Sequence, residues 1–400
     1  MTRTQHTQRV LLLPAIKRRY ELDESHPIPC VLKEHETLVR TEVIGLNPVD
    51  WKAPDFGFGI PTLPYIPGRE LVGHITIASS ESSRFHVGDR VAVISTDYRD
   101  LRKAAYQDYV VSSHFNLVRL PGNISSEQGA AIGVAFVTGA LALAICLGID
   151  FSDVADGPDL LQRVRQTDPD VLPADVHEEC LNGIEEIDRP QEGEWVAIWG
   201  GSSTCAFIIN QLARLARLRT IVVLDVEKHG RNLADNLATR AHFVVDSRDP
   251  QRAVAIIRSV TGGRLRFAVD TVGRSTSEYL AQCLQTNPQR DGVQERTPPG
   301  TPPTLAADKP NNMPSHLVGL NGLPKQSSGP VHHGVPVKLF HELPEVGEAL
   351  VTWLERLLRS GLLVPPRILG IVDGLEGIND GLDRMRRAEI SGGRLVARLR

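Results

Sequence analysis

Cysteine is scarce and scattered in this sequence. The five cysteines, Cys30, Cys146, Cys180, Cys205 and Cys283, are odd in number and form no CxxC pair. That argues against a disulfide framework and suits reduced thiols in a cytoplasmic protein. An excess of charge of one sign is also missing. Lysine and arginine together number 44 against 48 aspartates and glutamates, a net charge of -4. No basic face is implied, so nucleic acid is not an expected partner. No apolar run is read as approaching the roughly 20 residues that span a bilayer, so no membrane is expected either. The apolar segment 10–16 is short, is broken by Pro14 and runs into Lys17, Arg18 and Arg19 without a small-residue cleavage site. It reads as a first strand, not as a signal peptide. No internal repeat is visible.

What is present is enough for two cores. The chain has 400 residues, 41% hydrophobic and 23% charged, the composition of a globular protein with two domains of ordinary size. Residues 37–46, 71–78 and 90–94 are strand-like, with glycines and prolines between them, and an antiparallel, partly barrel-like arrangement follows. Residues 125–147 read as a helix with a capping start at Ser125. The proline-containing stretch 150–194 reads as an inserted excursion with weak helices. From Glu194 strands and helices alternate: strands at 195–199, 220–224, 243–245, 266–272 and 316–320, helices at 204–218, 235–239 and 252–260. Short strands buried on both faces and separated by helices predict a parallel, doubly wound sheet. Residues 287–314 read as a surface loop or disordered insert. A strand at 335–340, helices at 345–360 and 377–387, and a strand at 395–399 follow.

The strand at 195–199 runs into Gly200, Gly201, Ser202, Ser203, Thr204, Cys205 and Ala206 and then into a helix. A dinucleotide pyrophosphate is held in this context, because a tight turn lets backbone and a helix N-terminus approach the phosphates. The pattern departs from G-x-G-x-x-G, with Ser202 and Ser203 offering hydroxyl donors in its place. An ordinary strand–helix turn is the plain alternative. Asp225 ends the next strand, where an acid would bind the ribose 2′-OH of NAD. Lys228, His229 and Arg231 follow at once, and cations there would suit the 2′-phosphate of NADP.

Four segments in order resemble one family. Asn47-Pro48-Val49-Asp50-Trp51-Lys52, Pro67-Gly68-Arg69-Glu70-Leu71-Val72-Gly73, Val87-Gly88-Asp89-Arg90-Val91 and Ser391-Gly392-Gly393-Arg394-Leu395-Val396 look like motifs of the medium-chain dehydrogenase/reductase superfamily. The resemblance is to its zinc-free branch, quinone oxidoreductases and fungal trans-acting enoyl reductases. It implies an α/β fold in which a GroES-like β-rich catalytic domain joins a Rossmann doubly wound nucleotide-binding domain. The catalytic part would be 1–137 and 323–400. The cofactor part would be 138–322, with the insert 150–194 and the loop 287–314. Where zinc-dependent members hold catalytic zinc, alignment of the motifs places Asn47, Arg69 and Val134. No cysteine lies between Ser95 and Val110 for a structural zinc. No zinc is therefore expected. His332 and His333, neighbours in the chain, are expected to be packing or surface histidines.

The resemblance assigns roles residue by residue. Val49, Asp50, Trp51 and Lys52 would lie beside the nicotinamide ribose, with Lys52 and Thr138 the candidate catalytic pair. Ser247 would touch the adenine side, Leu320 and Asn321 would flank the nicotinamide, and Ser391 and Gly392 would close the cleft. Ala135, Phe136, Val137, Thr138, Gly139, Ala140, Leu141 and Ala142 would line the substrate side. Against these stand plain structural readings: an exposed turn for Asp50 and Lys52, and helix core for 135–142. No general acid stands out.

Without a Lewis acid, the set of residues suits hydride delivery to an already polarised acceptor. The expected function is an NADP(H)-dependent reductase of an activated double bond, NAD(H) being the second choice. The substrate would be a small or carrier-bound unsaturated acyl group, with a polyketide synthase as candidate partner. A quinone oxidoreductase and a cofactor-binding docking partner without chemistry are the alternatives. A monomer and a homodimer are equally compatible.

Overall fold

The structure is a computed structural model and describes residues 7–234, 237–285, 313–325 and 329–399. In chain order it begins with β1 (Thr7–Leu12), β2 (Glu21–Pro27), β3 (Glu36–Gly45), α1 (Pro48–Phe56), β4 (Glu70–Ile77), β5 (Arg90–Ile94), β6 (Tyr109–Ser113) and β7 (Leu117–Arg119). Helices α2 (Ser126–Gly129), α3 (Gly133–Leu141), α4 (Leu160–Gln166) and α5 (His177–Asn182) follow. Strand and helix then alternate through β8 (Trp195–Trp199), α6 (Thr204–Leu215), β9 (Arg219–Leu224), α7 (Val226–Ala234), β10 (Phe243–Asp246), α8 (Pro250–Thr261), β11 (Phe267–Asp270), α9 (Arg274–Cys283), β12 (His316–Gly319) and β13 (Val331–Gly334). The last elements are α10 (Leu339–Glu342), α11 (Pro344–Arg359), β14 (Ile368–Asp373), α12 (Ile378–Arg386) and β15 (Arg394–Arg398).

β8 to β13 form a parallel sheet in the order β10-β9-β8-β11-β12-β13. The chain winds outward from β8 through β9 and β10, then returns to β11 on the other side. The reversal leaves a crevice at the carboxyl ends of β8 and β11, where ligands bind in sheets of this kind. The second sheet runs β14-β15-β3-β4-β5-β7, with β6 also on β3. It is antiparallel except for the β14–β15 pair. β15 near the end of the chain hydrogen-bonds to β3 near its beginning, so one sheet draws on both ends of the sequence.

Several expected elements are corrected. The helix expected over 125–147 is broken between α2 and α3 and finishes as a π-turn at Ala142–Cys146. The two helices approach the sheet closely where they meet: a Cβ on Gly129 would meet Leu120 at 2.6 Å, and one on Gly133 would meet Ile94 at 2.5 Å. The stretch Ser126–Cys146 is also long and apolar enough to cross a bilayer, contrary to the expectation that none is. Here it is core, 89% buried. The helix expected at 235–239 lies earlier, at α7; Leu237 to Thr239 form a turn, and Asp235 and Asn236 lie outside the described residues. Asp225 starts α7 by accepting the Lys228 N–H at 3.1 Å. The strand expected at 335–340 ends before it begins, because Pro336 offers no N–H to a ladder; β13 precedes it and α10 follows. Residues 287–312 of the expected loop lie outside the described residues.

The insert is no loose excursion. Leu160, Leu161, Val164 and Cys180 are buried in the same core as α3, α6 and α11. Glu179 on α5 reaches His333 Nδ1 at 2.8 Å, and His333 Nε2 meets His316 Nδ1 at 2.9 Å. His333 is thus a packing histidine of the sheet edge, fully buried. Trp353 of α11 packs between Phe136 and Phe151, with tilted rings whose centroids are 5.4 and 4.7 Å away, and its indole N–H donates to Val154 O at 2.9 Å. It pins the start of the insert onto α3. Trp353→Ala is expected to cost about 3–5 kcal/mol in chemical denaturation; a loss below 1 kcal/mol would show that the insert docks by other contacts.

Candidate active site

A cleft of about 1070 Å³ opens between the two sheets at the carboxyl ends of β8, β11 and β12. Its floor is the turn from β8 into α6. Gly200 has φ +90°, which a side chain rarely adopts. A Cβ on Gly200 would meet Thr271 Oγ1 at 2.3 Å, and one on Gly201 would meet Val222 at 2.1 Å. Both glycines are therefore needed for the turn to sit against the sheet. Ser203 is the N-cap of α6: its hydroxyl accepts the Ala206 N–H at 3.1 Å and donates to Thr271 Oγ1 at 2.9 Å. It is spent on structure, which corrects its reading as a phosphate donor through the side chain. Ser202, Thr204 and Cys205 line the cleft beside it, where first-turn N–H groups of a helix lack intrahelical acceptors. Cys205 is a half-buried wall residue, and its surroundings push its thiol up to about 11, chiefly by desolvation. The neighbouring strand ends supply Leu320 and Asn321, and Asn321 donates to Thr271 O at 2.7 Å. A tight glycine turn, a helix start and an apolar strand end in one cleft fit a dinucleotide.

The facing wall begins with α1. Val49 and Lys52 line the cleft. Lys52 has no ion pair among the described residues, and its ammonium lies 5.7 Å from the Trp51 ring centroid. Asp50 and Trp51, expected at the cofactor, do not line the cleft. Asp50 is buried: its carboxylate accepts the Asn47 N–H at 2.7 Å and the Tyr106 hydroxyl at 2.8 Å. It caps α1 and does not face the cleft. Trp51 packs against Phe56 and the Arg386 guanidinium.

The three metal-aligned positions carry a different network. Asn47 Nδ2 donates to Glu70 Oε1 at 3.0 Å, and the Val134 N–H donates to Glu70 Oε2 at 2.9 Å. Arg394 completes the set with a close contact to Glu70 Oε1. Among the described residues no group of three or more His, Cys, Asp and Glu side chains is placed to hold a metal. Arg69 lines the cleft and donates to the Tyr65 hydroxyl, with the Tyr98 ring 3.4 Å from its guanidinium.

The eight residues expected on the substrate side divide sharply. Ala135 and Thr138 line the cleft, joined by Val134. Phe136, Val137, Ala140, Leu141 and Ala142 are fully buried in the core, and Gly139 packs against Ile208 and Ile209 of α6. A helix of 3.6-residue period shows one wall only one narrow face. Thr138 also bonds back to Val134 O at 2.8 Å. Sequence reasoning missed much of the wall, including Ser95, Thr96, Tyr98, Lys338 and His341. Thr96 Oγ1 and His341 Nδ1 are 2.8 Å apart, a contact between segments too distant in sequence for any local motif to show.

At the far end, Ser391 Oγ lies 3.0 Å from His229 Nε2, and a Cβ on Gly392 would meet that ring at 2.7 Å. The C-terminal segment thereby closes on α7. Ser391 and Gly392 line the cleft, whereas Asp225, Lys228 and Ser247 do not. The Ser247 N–H is used by Leu224 O at 2.9 Å.

Burial raises the Asp50 carboxyl from 3.8 to about 6, against the opposing effect of its hydrogen bonds. The folded chain therefore holds that proton more tightly than the unfolded chain. The resulting stabilisation is full below pH 3.8 and lost as pH rises through 6. Relative to wild type, Asp50→Asn should gain stability as pH rises across this window, a change read by melting temperature against pH. Asp50→Ala, which orphans two donors, should lose roughly 2–4 kcal/mol while cofactor affinity stays within threefold. A pH-independent difference for Asp50→Asn, or a large affinity loss in Asp50→Ala, would contradict the structural role.

Residues 33–137 match the alcohol dehydrogenase GroES-like domain family. A trans-enoyl reductase of Gibberella fujikuroi is 28% identical over 367 residues, covering 90% of this chain and 89% of that protein. The enoyl reductase component of lovastatin nonaketide synthase from Aspergillus terreus is 26% identical, covering 93% and 91%. Among solved structures, the Escherichia coli quinone oxidoreductase complexed with NADPH superposes with a TM-score of 0.68 at 16% identity, covering 98% of this chain and 99% of that one. Residues 33–137 thus carry an alcohol dehydrogenase GroES-like domain, and over its full length the chain is similar to trans-enoyl reductases and shares the fold of a medium-chain quinone oxidoreductase.

Proposed function

We propose that this protein is an NADPH-dependent reductase of a carbon–carbon double bond conjugated to a carbonyl, with an enoyl thioester as its substrate class. The observation that carries the reading is the cleft itself: one wall is a tight glycine turn at a helix start, and the facing wall includes Asn47, Arg69 and Val134, the three residues that the motif resemblance aligns with metal ligands of zinc-dependent members. A bound reduced nicotinamide would supply hydride. Gly200, Gly201, Ser202 and Thr204 would hold its phosphates, and Lys52 its ribose side. Leu320, Asn321 and Thr138 would orient the ring. Conjugated acceptors need no external Lewis acid to accept hydride at the β-carbon.

Full-length similarity to trans-enoyl reductases supports the substrate class. The Aspergillus terreus relative is named as a component of a polyketide synthase, and a carrier-bound polyketide is the acceptor we assign here. NADPH is chosen over NADH because the Asp225 carboxylate caps α7 and the exposed Lys228 ammonium has no ion pair among the described residues. A cytoplasmic location belongs to the same reading, supported by five unpaired cysteines.

The test is a titration with NADPH and NADH, followed by cofactor oxidation with an enoyl N-acetylcysteamine thioester, an enone and a quinone. NADPH should bind at least tenfold more tightly, and the thioester should be reduced fastest. Lys52→Ala should lower kcat/KM at least tenfold. Turnover of the quinone alone would favour a quinone oxidoreductase. Binding without turnover of any acceptor would favour a docking role without chemistry.

A further inference from the structure

Arg69 is buried, with 4% of its surface exposed, yet it forms no ion pair among the described residues. A buried guanidinium ordinarily has a carboxylate partner. Its immediate neighbour Glu70 is committed to Arg394, Asn47 and Val134. Asp50 feels the Arg69 charge only through space. What touches the guanidinium is aromatic: the Tyr98 ring lies against its face, and the Tyr65 hydroxyl accepts one of its N–H groups. Its Nε–H has no acceptor.

A second unused donor stands beside it. Ser95 is equally buried, lines the same cleft, and its hydroxyl has no partner. The Ser95 N–H donates to Arg69 O at 2.7 Å, so the backbones of the two residues are bound side by side. A preformed cation with spare donors, held in a cleft with no anion of its own, is poised for an anion that arrives during the reaction.

We propose that Arg69 is the electrophile of the reaction, donating to the carbonyl oxygen of the acceptor, with Ser95 as auxiliary donor. This rests on the reductase reading above. Hydride adds to the β-carbon with its electron pair. The C=C π pair shifts to make a Cα=C bond, and the carbonyl π pair moves onto oxygen. Arg69 stabilises that enolate oxyanion in the position where a metal would act in a zinc-dependent member. Re-forming C=O returns the pair to Cα, which takes a proton from solvent water. The net change is a saturated acyl group and an oxidised nicotinamide. Arg69 thus replaces the Lewis acid with a fixed charge, and the Tyr98 ring against its face holds the planar fork in orientation.

The test compares Arg69→Met, Arg69→Lys and Arg69→Ala with wild type in single-turnover hydride transfer to a crotonyl N-acetylcysteamine thioester. NADPH titration serves as the fold control. The Met variant should transfer hydride at least a hundredfold more slowly with NADPH affinity within threefold, and the Lys variant should fall between. Guanidinium at millimolar concentration should restore the Ala variant at least fivefold. Independently of turnover, the infrared band of a 13C-labelled thioester carbonyl should lie lower in wild type than in the Met variant, both with oxidised cofactor bound. An active wild type with a Met variant within threefold of it and an unshifted carbonyl band would overturn the Arg69 assignment alone. A wild type inert toward every conjugated carbonyl would overturn the reductase reading beneath it. Collapse of NADPH binding in all three variants, with no rescue and an unshifted band, would make Arg69 a packing residue and also overturn the proposal.

Discussion

The buried carboxylate of Glu70 holds together the half of the molecule that faces the β8–α6 turn. It is 1% exposed and accepts from the Asn47 side chain, the Val134 backbone and the Arg394 guanidinium. Those three partners belong to the entry of α1, the start of α3 and the first residue of β15. A charge so buried is stable only when its lone pairs are met, so each segment is fixed in position by the need to meet them. The packing has no slack nearby: a Cβ on Gly45 would lie 1.9 Å from Ala130 O. The cleft wall is the outer side of this knot, and the placement of Lys52, Thr138 and Ser391 follows from it.

The opposite wall obeys a different constraint. Doubly wound sheets leave a crevice where strand order reverses, and here the reversal lies between β8 and β11. Thr271 at the end of β11 ties that point together. It donates to Trp199 O at 3.0 Å, accepts from Ser203 at 2.9 Å and receives Asn321 on its own carbonyl at 2.7 Å. The glycine turn is thereby locked to two other strand ends, which gives a preorganised floor. The fixed charges of the first wall face this floor across the cleft.

The parts of this arrangement that repeat a local rule were legible in the sequence. The parallel sheet announced itself through short apolar strands, and β5 and β8 have the bounds their patterns suggest. The turn at Gly200 and Gly201 was visible because only glycine permits its geometry. Edge strands were not visible. β2 is the acidic run ELDESHP, and β14 alternates partly exposed residues; neither has a buried face to advertise. The capping box that begins α1, Asn47 with Asp50, is a local signal, but it was read as cofactor chemistry because the family motif overlies it. Helix 135–142 shows the converse limit. Sequence marks it as apolar, but only the packing of α6 and β5 decides that Ala135 and Thr138 face the cleft while Phe136 faces Trp353. Arg69 was seen only as a residue unable to bind metal. Its isolation from carboxylates is a three-dimensional fact.

The central claim is that the β8–α6 turn holds the cofactor, closed over by the C-terminal segment. Amide hydrogen exchange with and without NADPH measures this at each segment. Protection should rise at residues 200–206, 320–321 and 391–393 together, with the β1–β2 pair unchanged. Tight NADPH binding that leaves the amides of 200–206 unprotected would contradict the account.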